Sequence, residues 1–199
     1  MTNDWSIYEL ALISINLIIP LTIAAILSFV LVKKDYWSVL DLPIDFGRTL
    51  FGRRIFGKSK TWRGLLSMTL FTVLLCMIFF PVFDLVLPEY CLVGCDFSSA
   101  AVVGLVLGAG HALGELPNSF LKRRLGIVSG TPARNILLRV LFVILDSIDS
   151  AAGSIGFIFI FGYLGDEFEV ALTAFMIGAL VHFLINLLLW KKGLKVFWA

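Results

Sequence analysis

The sequence is poor in charge, histidine and cysteine. Only 15% of its 199 residues are Asp, Glu, Lys or Arg, two are His and three are Cys. No Ser-His-Asp order and no Cys-His pair points to a covalent nucleophile. Cys76 reads as a buried apolar residue. Cys91 and Cys95 can form a disulfide if their compartment is oxidising. With no His or further Cys beside them, they do not read as a metal site. There is no repeat array, no low-complexity tract and no soluble domain, and the only long loop is residues 33–63.

What is present is apolar. Hydrophobic residues make up 59% of the chain, and the mean hydropathy is +0.98. A soluble domain of this size does not carry so much apolar surface. Five apolar segments, about 8–32, 64–87, 99–117, 136–165 and 168–190, are each long enough to cross ~30 Å of hydrocarbon as a helix. A bilayer offers backbone groups no other partner unless a barrel closes. The expected fold is therefore an all-α integral membrane protein, a single transmembrane domain over 1–199 with five transmembrane helices. The first segment does not read as a cleaved signal, because it is too long, follows Asp4 and Glu9 rather than Lys or Arg, and lacks a small-residue cleavage site.

Basic residues are missing from one whole side of this arrangement. All 16 Lys and Arg fall in 33–63, in 122–139 or at Lys191, Lys192 and Lys195. The opposite side holds Asp4, Glu9, Glu89, Asp96, Asp166, Glu167 and Glu169. The positive-inside rule then puts the N-terminus outside, the C-terminus in the cytoplasm, and the loops of about 33–63 and 118–135 on the cytoplasmic face. Trp5, Trp37, Trp62, Trp190 and Trp198 lie near segment ends, as in an interfacial aromatic belt.

Three carboxylates, Glu115, Asp146 and Asp149, lie inside apolar segments, where a charge is costly and marks a functional site by default. If Ser99 and Gly165 are outer helix ends, Glu115 and Asp149 both sit ~24 Å from the outer surface and Asp146 ~28 Å. All three then share one depth, just inside the cytoplasmic boundary. The excess length of 136–165, about 136–144, should extend into the cytoplasm or bend along the interface. Asp146 and Asp149 share a helical face, with Arg139 two turns before. The alternative is a buried Arg–Asp pair that only packs helices. His111, one turn before Glu115, can orient it or serve as a structural hydrogen-bonding group. His182 and Asn186 share a face and read either as a cap on the site or as interhelical contacts.

The loop repeats an aromatic-Gly-basic unit: Phe46-Gly47-Arg48, Phe51-Gly52-Arg53, Phe56-Gly57-Lys58. Glycine lets backbone N–H groups approach phosphate, and the cations neutralise it. Gly52 to Ser59 formally matches a P-loop, but no buried strand precedes it and no α/β domain surrounds it. Carboxylates beside such loops suggest a divalent metal and a phosphorylated substrate.

Three ordered motifs carry a family resemblance over about residues 42–160. The first is Leu42-Pro43-Ile44-Asp45-Phe46-Gly47-Arg48 with Lys60-Thr61-Trp62-Arg63-Gly64. The second runs from Gly114-Glu115 through Ser119 to Lys122-Arg123. The third is Asp146-Ser147-Ile148-Asp149. Together they resemble the CDP-archaeol synthase family, membrane CTP transferases related to phosphatidate cytidylyltransferases. Glu115 stands where that family usually has Asp, a carboxylate on a longer arm.

The resemblance implies CTP and a membrane lipid phosphate, archaeol-type or phosphatidate-like, reacting to a CDP-lipid and pyrophosphate in phospholipid biosynthesis. It implies one or two Mg²⁺ held by Glu115, Asp146 and Asp149, with these three and Lys122 as catalytic residues. Lys60, Thr61, Arg63, Ser119 and Arg123 would bind the nucleotide. A homodimer is expected from the larger relatives, and no nucleic-acid partner is expected. The site would lie near the cytoplasmic face of the cell membrane. Two other classes fit parts of the pattern: a small ion- or proton-coupled transporter, and a non-catalytic lipid-binding relative.

Overall fold

A computed structural model describes residues 5–93, 95–165 and 167–194. The sequence features at Asp4, Asp166, Lys195 and Trp198 lie outside the described residues. Five long helices follow one another: α1 (Ile7–Lys33), α2 (Trp62–Val86), α3 (Phe97–Arg124), α4 (Ile136–Ile160) and α5 (Phe168–Lys191). A two-stranded antiparallel hairpin, β1 (Thr49–Leu50) and β2 (Arg53–Arg54), sits in the α1–α2 loop.

Each of the first four helices starts where a side chain can cover orphan N–H groups. Ser6 and Glu9 form a capping box on α1, and Thr61 caps α2 by accepting from Gly64 N. Asp96 accepts from the N–H groups of Ser98 and Ser99 on α3, and Asn135 from those of Leu137 and Leu138 on α4. Such caps contribute about 1 kcal/mol each. The segments expected at 99–117 and 136–165 shift. α3 runs through Pro117 to Arg124, because Lys122, Arg123 and Arg124 complement the negative end of its dipole. α4 stops at Ile160, and positive φ at Gly162 and Gly165 turns the chain toward α5.

α1, α2, α3 and α5 are long and apolar enough to cross a membrane by length and composition; α4 carries Arg139, Asp146 and Asp149. The outward faces are apolar too. Leu172, Met176, Leu180, Leu184 and Leu188 form an exposed stripe four residues apart on α5, and Leu66, Leu70, Leu74 and Ile78 another on α2. Water would not tolerate such continuous stripes, whereas lipid accepts them. The chain is an integral membrane protein.

α3 is the central helix, packed between α2 and α4; α1 contacts α2 and α5, and α5 also packs on α4. The apolar core gathers around Ile13, Leu17, Phe80, Val103, Leu107 and Ile158. α3 approaches both neighbours through glycine. A Cβ at Gly104 would lie 2.7 Å from Val73 Cα, and one at Gly153 would collide with Gly110 O and lie 2.6 Å from Gly114 Cα. Backbone meets backbone at these points, as small residues permit in membrane helices. The α3–α4 contact continues toward the cytoplasmic-type loops and brings the carboxylates of the two helices together. At the other end of the bundle, Cys91 and Cys95 are joined in a disulfide.

Candidate active site

Glu115 projects from α3, and Asp146 and Asp149 from the facing side of α4. Asn118, one turn beyond Glu115, ties the aspartates together: its Nδ2 donates to Asp146 Oδ1 at 2.6 Å and to Asp149 Oδ2 at 2.8 Å. Ser150 Oγ donates to Glu115 Oε1 at 3.0 Å and lies 3.2 Å from Asp149 Oδ1. Lys122 pairs with Asp146, and Lys60, arriving from the loop, pairs with Glu115. Among the described residues no cation pairs with Asp149 at this range. Arg139 donates to Ala133 O at 3.2 Å through both Nε and Nη2.

Three carboxylates thus face two ammonium groups. Asn118 turns its amide N–H bonds to the carboxylates, the only orientation that avoids oxygen–oxygen repulsion. Its Oδ1 is left buried without a hydrogen-bond partner. A hard divalent cation takes carboxylate ligands. Glu115, Asp146 and Asp149 match such an ion in kind, and in this arrangement Asn118 and Ser150 stand between their oxygens. Burial pushes the Lys60 ammonium toward neutrality, but the Glu115 carboxylate outweighs this and raises its pKa above the usual lysine value. Lys60 is charged.

The loop that delivers Lys60 is built around Asp45, which is buried. Its carboxylate accepts from Gly47 N at 2.9 Å, Phe56 N at 3.1 Å, Gly57 N at 3.3 Å and Arg54 Nη2 at 2.9 Å. Arg124 at the end of α3 donates to the carbonyls of Leu50, Arg53 and Arg54, and Arg53 donates back to Arg124 O. Ile44 N bonds Lys60 O and Trp62 N bonds Leu42 O, both at 2.9 Å, which seats Lys60 over α3. Here the structure corrects the reading of the aromatic-Gly repeat as a phosphate cradle. Phe46-Gly47 and Phe51-Gly52 all have positive φ, and Phe51-Gly52 connects β1 to β2 as a two-residue turn of the primed class. The glycines make turns, and the N–H groups of Gly47 and Gly57 are spent on Asp45.

Burial pushes the Asp45 carboxyl up, yet the three N–H groups and Arg54 together hold it below the ordinary value of 3.8. The stability it contributes is therefore present above that value and lost as pH falls below it. Asp45→Ala would leave three N–H groups and a guanidinium without their partner, at about 1–3 kcal/mol for each group left buried. The expected result is faster limited proteolysis within 46–57 at neutral pH, with the wild-type loop reaching the same state only below the ordinary carboxylate range. A mutant loop as resistant as wild type would remove Asp45 as the organising residue.

The remaining sequence candidates separate. Lys122, on Asp146, also lies 5.3 Å from the centre of the Phe142 ring. Ser119 is buried next to Asn118. Arg123 reaches toward Gly57 and Ser129, and its Nε is buried without a partner. Ser59 and Ser129 share a hydrogen bond of 2.9 Å that joins the two loops. Thr61 and Arg63 are engaged elsewhere. The Thr61 hydroxyl caps α2, and Arg63 is buried in a pair of ion bridges to Asp35 and Asp41, at 2.6 and 3.1 Å. His111 lies 4.0 Å from Glu115 and stacks edge-on with His182 at 5.8 Å. Sequence reasoning missed Asn118 and Asp45 as organising residues. Each lay inside a quoted motif, between Ile44 and Phe46 and between Pro117 and Ser119, where no neighbouring charge singled it out.

The profile of the CarS-like family, described as CDP-archaeol synthase, matches residues 7–199. A CDP-archaeol synthase of Methanococcus aeolicus is 30% identical over 162 residues, 78% of this chain and 82% of its own length. That of Pyrococcus furiosus is 42% identical over 92 residues, 46% of this chain and 50% of its own. That of Methanosarcina acetivorans is 30% identical over 165 residues, 77% of this chain and 87% of its own. No solved structure matches.

Proposed function

The chain belongs to the CDP-archaeol synthase family, and on that premise we propose that it transfers a cytidylyl group from CTP to an archaeol-type lipid phosphate. The products are CDP-archaeol and pyrophosphate. The observation that carries the reading is the carboxylate cluster of Glu115, Asp146 and Asp149, bridged by Asn118 and Ser150 and flanked by Lys60 and Lys122. A transporter would use carboxylates and His within helices, but family membership and the loop built to deliver Lys60 favour the enzyme.

In the reaction, an oxygen of the lipid phosphate attacks the α-phosphorus of CTP in line. The new P–O bond forms as the bond to the β-phosphate oxygen breaks, and pyrophosphate leaves. The attacking oxygen is already anionic, so no strong base is required, and catalysis rests on positioning and charge neutralisation. Mg²⁺, which Asp149, Asp146 and Glu115 would hold, would supply positive charge to the phosphates. Lys60 and Lys122 carry charge into the same site on opposite sides of the cluster. When phosphate arrives, each can exchange part of its carboxylate contact for a phosphate oxygen, a point-charge contact suited to a compact ammonium. Arg123 adds a forked donor beside the loop of Gly57 and Ser129. Thr61 and Arg63 act by holding the loop and the start of α2, which sets Lys60 in place. This site would lie near the cytoplasmic boundary of the cell membrane, where a water-soluble nucleotide meets a membrane-bound acceptor.

The test is direct. Purified protein with CTP, Mg²⁺ and an archaeol-type phosphate is expected to release pyrophosphate and form a CDP-lipid, with phosphatidate as the comparison acceptor. No product from either acceptor would leave a non-catalytic lipid-binding protein as the better reading. For topology, we place the N-terminus outside and the C-terminus in the cytoplasm, from the sorting of Lys and Arg. Ile7→Cys and Lys192→Cys, tested in sealed vesicles with a membrane-impermeant thiol reagent, are expected to label from opposite sides. Labelling from one side would overturn that orientation.

A further inference from the structure

The chain that leaves α1 does not run away from the bundle. Positive φ at Asp35 and Trp37, unusual for residues with a Cβ, folds it back, and Ser38–Leu40 closes as one short helical turn. Trp37 then stacks on Phe71, with ring centroids 6.2 Å apart. Phe71 lies well inside α2, ~14 Å along the helix from Trp62. The Ser28 and Ser67 hydroxyls, 2.6 Å apart, set that part of α2 level with α1 rather than beyond its end. The Trp37 ring therefore reaches back alongside the two spans, from a segment that follows the first of them.

Side chains in this segment sort by chemistry. Asp35 and Asp41 both pair with Arg63, which is buried and also donates to Tyr36 O at 3.4 Å. The large apolar groups turn outward, Val39 being 86% exposed, Tyr36 59% and Leu42 53%. Lys33 and Lys34, just before the turn, are exposed and enter no ion pair among the described residues. The acids are thus held by one buried cation, and the outward surface combines aromatic rings, aliphatic carbon and two ammonium groups.

We infer that residues 36–42 are an interfacial anchor, lying in the headgroup layer on the Lys-rich side of the membrane, with Lys33 and Lys34 on anionic lipid phosphates. Tyr and Trp suit that layer, where the ring meets hydrocarbon and the polar tip meets water. In water, this run of exposed apolar side chains would be costly, and the surface potential of an anionic leaflet attracts lysines placed beside it. A second copy of the chain fits less well, because a symmetric contact through this face would bring the same two lysines together. The backbone at Asp35 and Trp37 keeps its unusual conformation because Arg63 fixes it from within and the bilayer covers it from without.

The anchor bears on the site through the backbone. Leu42 O accepts from Trp62 N and Lys60 O from Ile44 N, both at 2.9 Å, so the end of the anchored segment and Lys60 belong to one set of hydrogen bonds. The segment positions that loop and touches no reacting group. Its placement does not depend on the reaction proposed above, and it is tested without CTP.

Val39→Cys and Leu42→Cys each add one reactive thiol, since Cys76 is buried and Cys91 and Cys95 are joined. A nitroxide on each is read in nanodiscs by its relaxation with oxygen, which concentrates in hydrocarbon, and with a water-soluble nickel chelate. Leu184→Cys, on the exposed stripe of α5, is the lipid reference, and Arg134→Cys, between α3 and α4, the water reference. The oxygen-to-nickel ratio at positions 39 and 42 is expected to shift away from that of position 134 toward that of position 184. Adding phosphatidylglycerol to phosphatidylcholine discs should raise the ratio at position 39 further, and Lys33→Gln with Lys34→Gln should remove that rise. A ratio equal to that of position 134 would put the segment in water and overturn the inference. Shielding from both reagents would mean a protein partner, and would overturn it too. No rise with phosphatidylglycerol would overturn the anionic assignment.

Discussion

Asp149→Asn is expected to lower turnover by about 100-fold or more while the protein still purifies folded. The substitution keeps the shape and removes the charge that a hard divalent cation requires. Asp149 is the carboxylate for which this loss is least confounded. Glu115 and Asp146 are each paired with a lysine, so neutralising either would leave an ammonium without its partner. Asp149 accepts hydrogen bonds from neutral donors, Asn118 Nδ2 and the N–H and hydroxyl of Ser150. Removing its charge also reduces repulsion among the three carboxylates. Without Mg²⁺ the mutant should therefore melt at or above the wild-type temperature, and the stabilisation that Mg²⁺ gives wild type should be largely lost. Near-normal turnover, or a mutant that melts lower yet keeps its full response to Mg²⁺, would remove Asp149 from the site.

Gly153→Val is expected to abolish both folding and activity. A Cβ at Gly153 would collide with Gly110 O, Gly114 Cα and Gly114 N, all backbone atoms that no rotamer change can move aside. α3 and α4 must separate, and with them Glu115 and Asn118 from Asp146, Asp149 and Ser150. Overpacking costs about 1–3 kcal/mol where side chains can adjust, and more where they cannot. The expected outcome is loss of the monodisperse detergent-solubilised protein. Gly156→Ala, with no atom within 4 Å of the added methyl, should be indistinguishable from wild type or slightly more stable. If Gly153→Val were as stable and active as wild type, the close α3–α4 approach would not be what assembles the carboxylates.

The carboxylates could be found from sequence because their cost in hydrocarbon makes them conspicuous, and counting helical rise put them at one depth. Their mutual contact is seen in the hydrogen bonds through Asn118 and Ser150. The basic residues were harder. Lys60 and Arg63 lie in one short run, and nothing local distinguishes them. The fold sends Lys60 to Glu115 and Arg63 to Asp35 and Asp41, because Thr61 starts α2 between them and turns successive side chains to different faces. The glycine-rich loop misled for a related reason. Glycine before a cation fits a phosphate cradle and a tight turn equally well, and only the direction of the N–H bonds, toward Asp45, tells them apart.

The sequence by itself determined the class and the helices. A chain this apolar must bury its backbone polar groups in helices, and its carboxylates at membrane depth had to serve a purpose that offsets their cost. Three ordered motifs were enough to indicate the family. The tertiary structure alone decided which cation meets which carboxylate and where the loop hands over Lys60. These are contacts between residues far apart in the chain, Lys60 and Glu115 being separated by 55 positions and Asn118 and Asp149 by 31. No periodicity records such pairings. They follow from backbone packing at Gly110, Gly114 and Gly153, where the absence of a side chain sets how closely two helices approach.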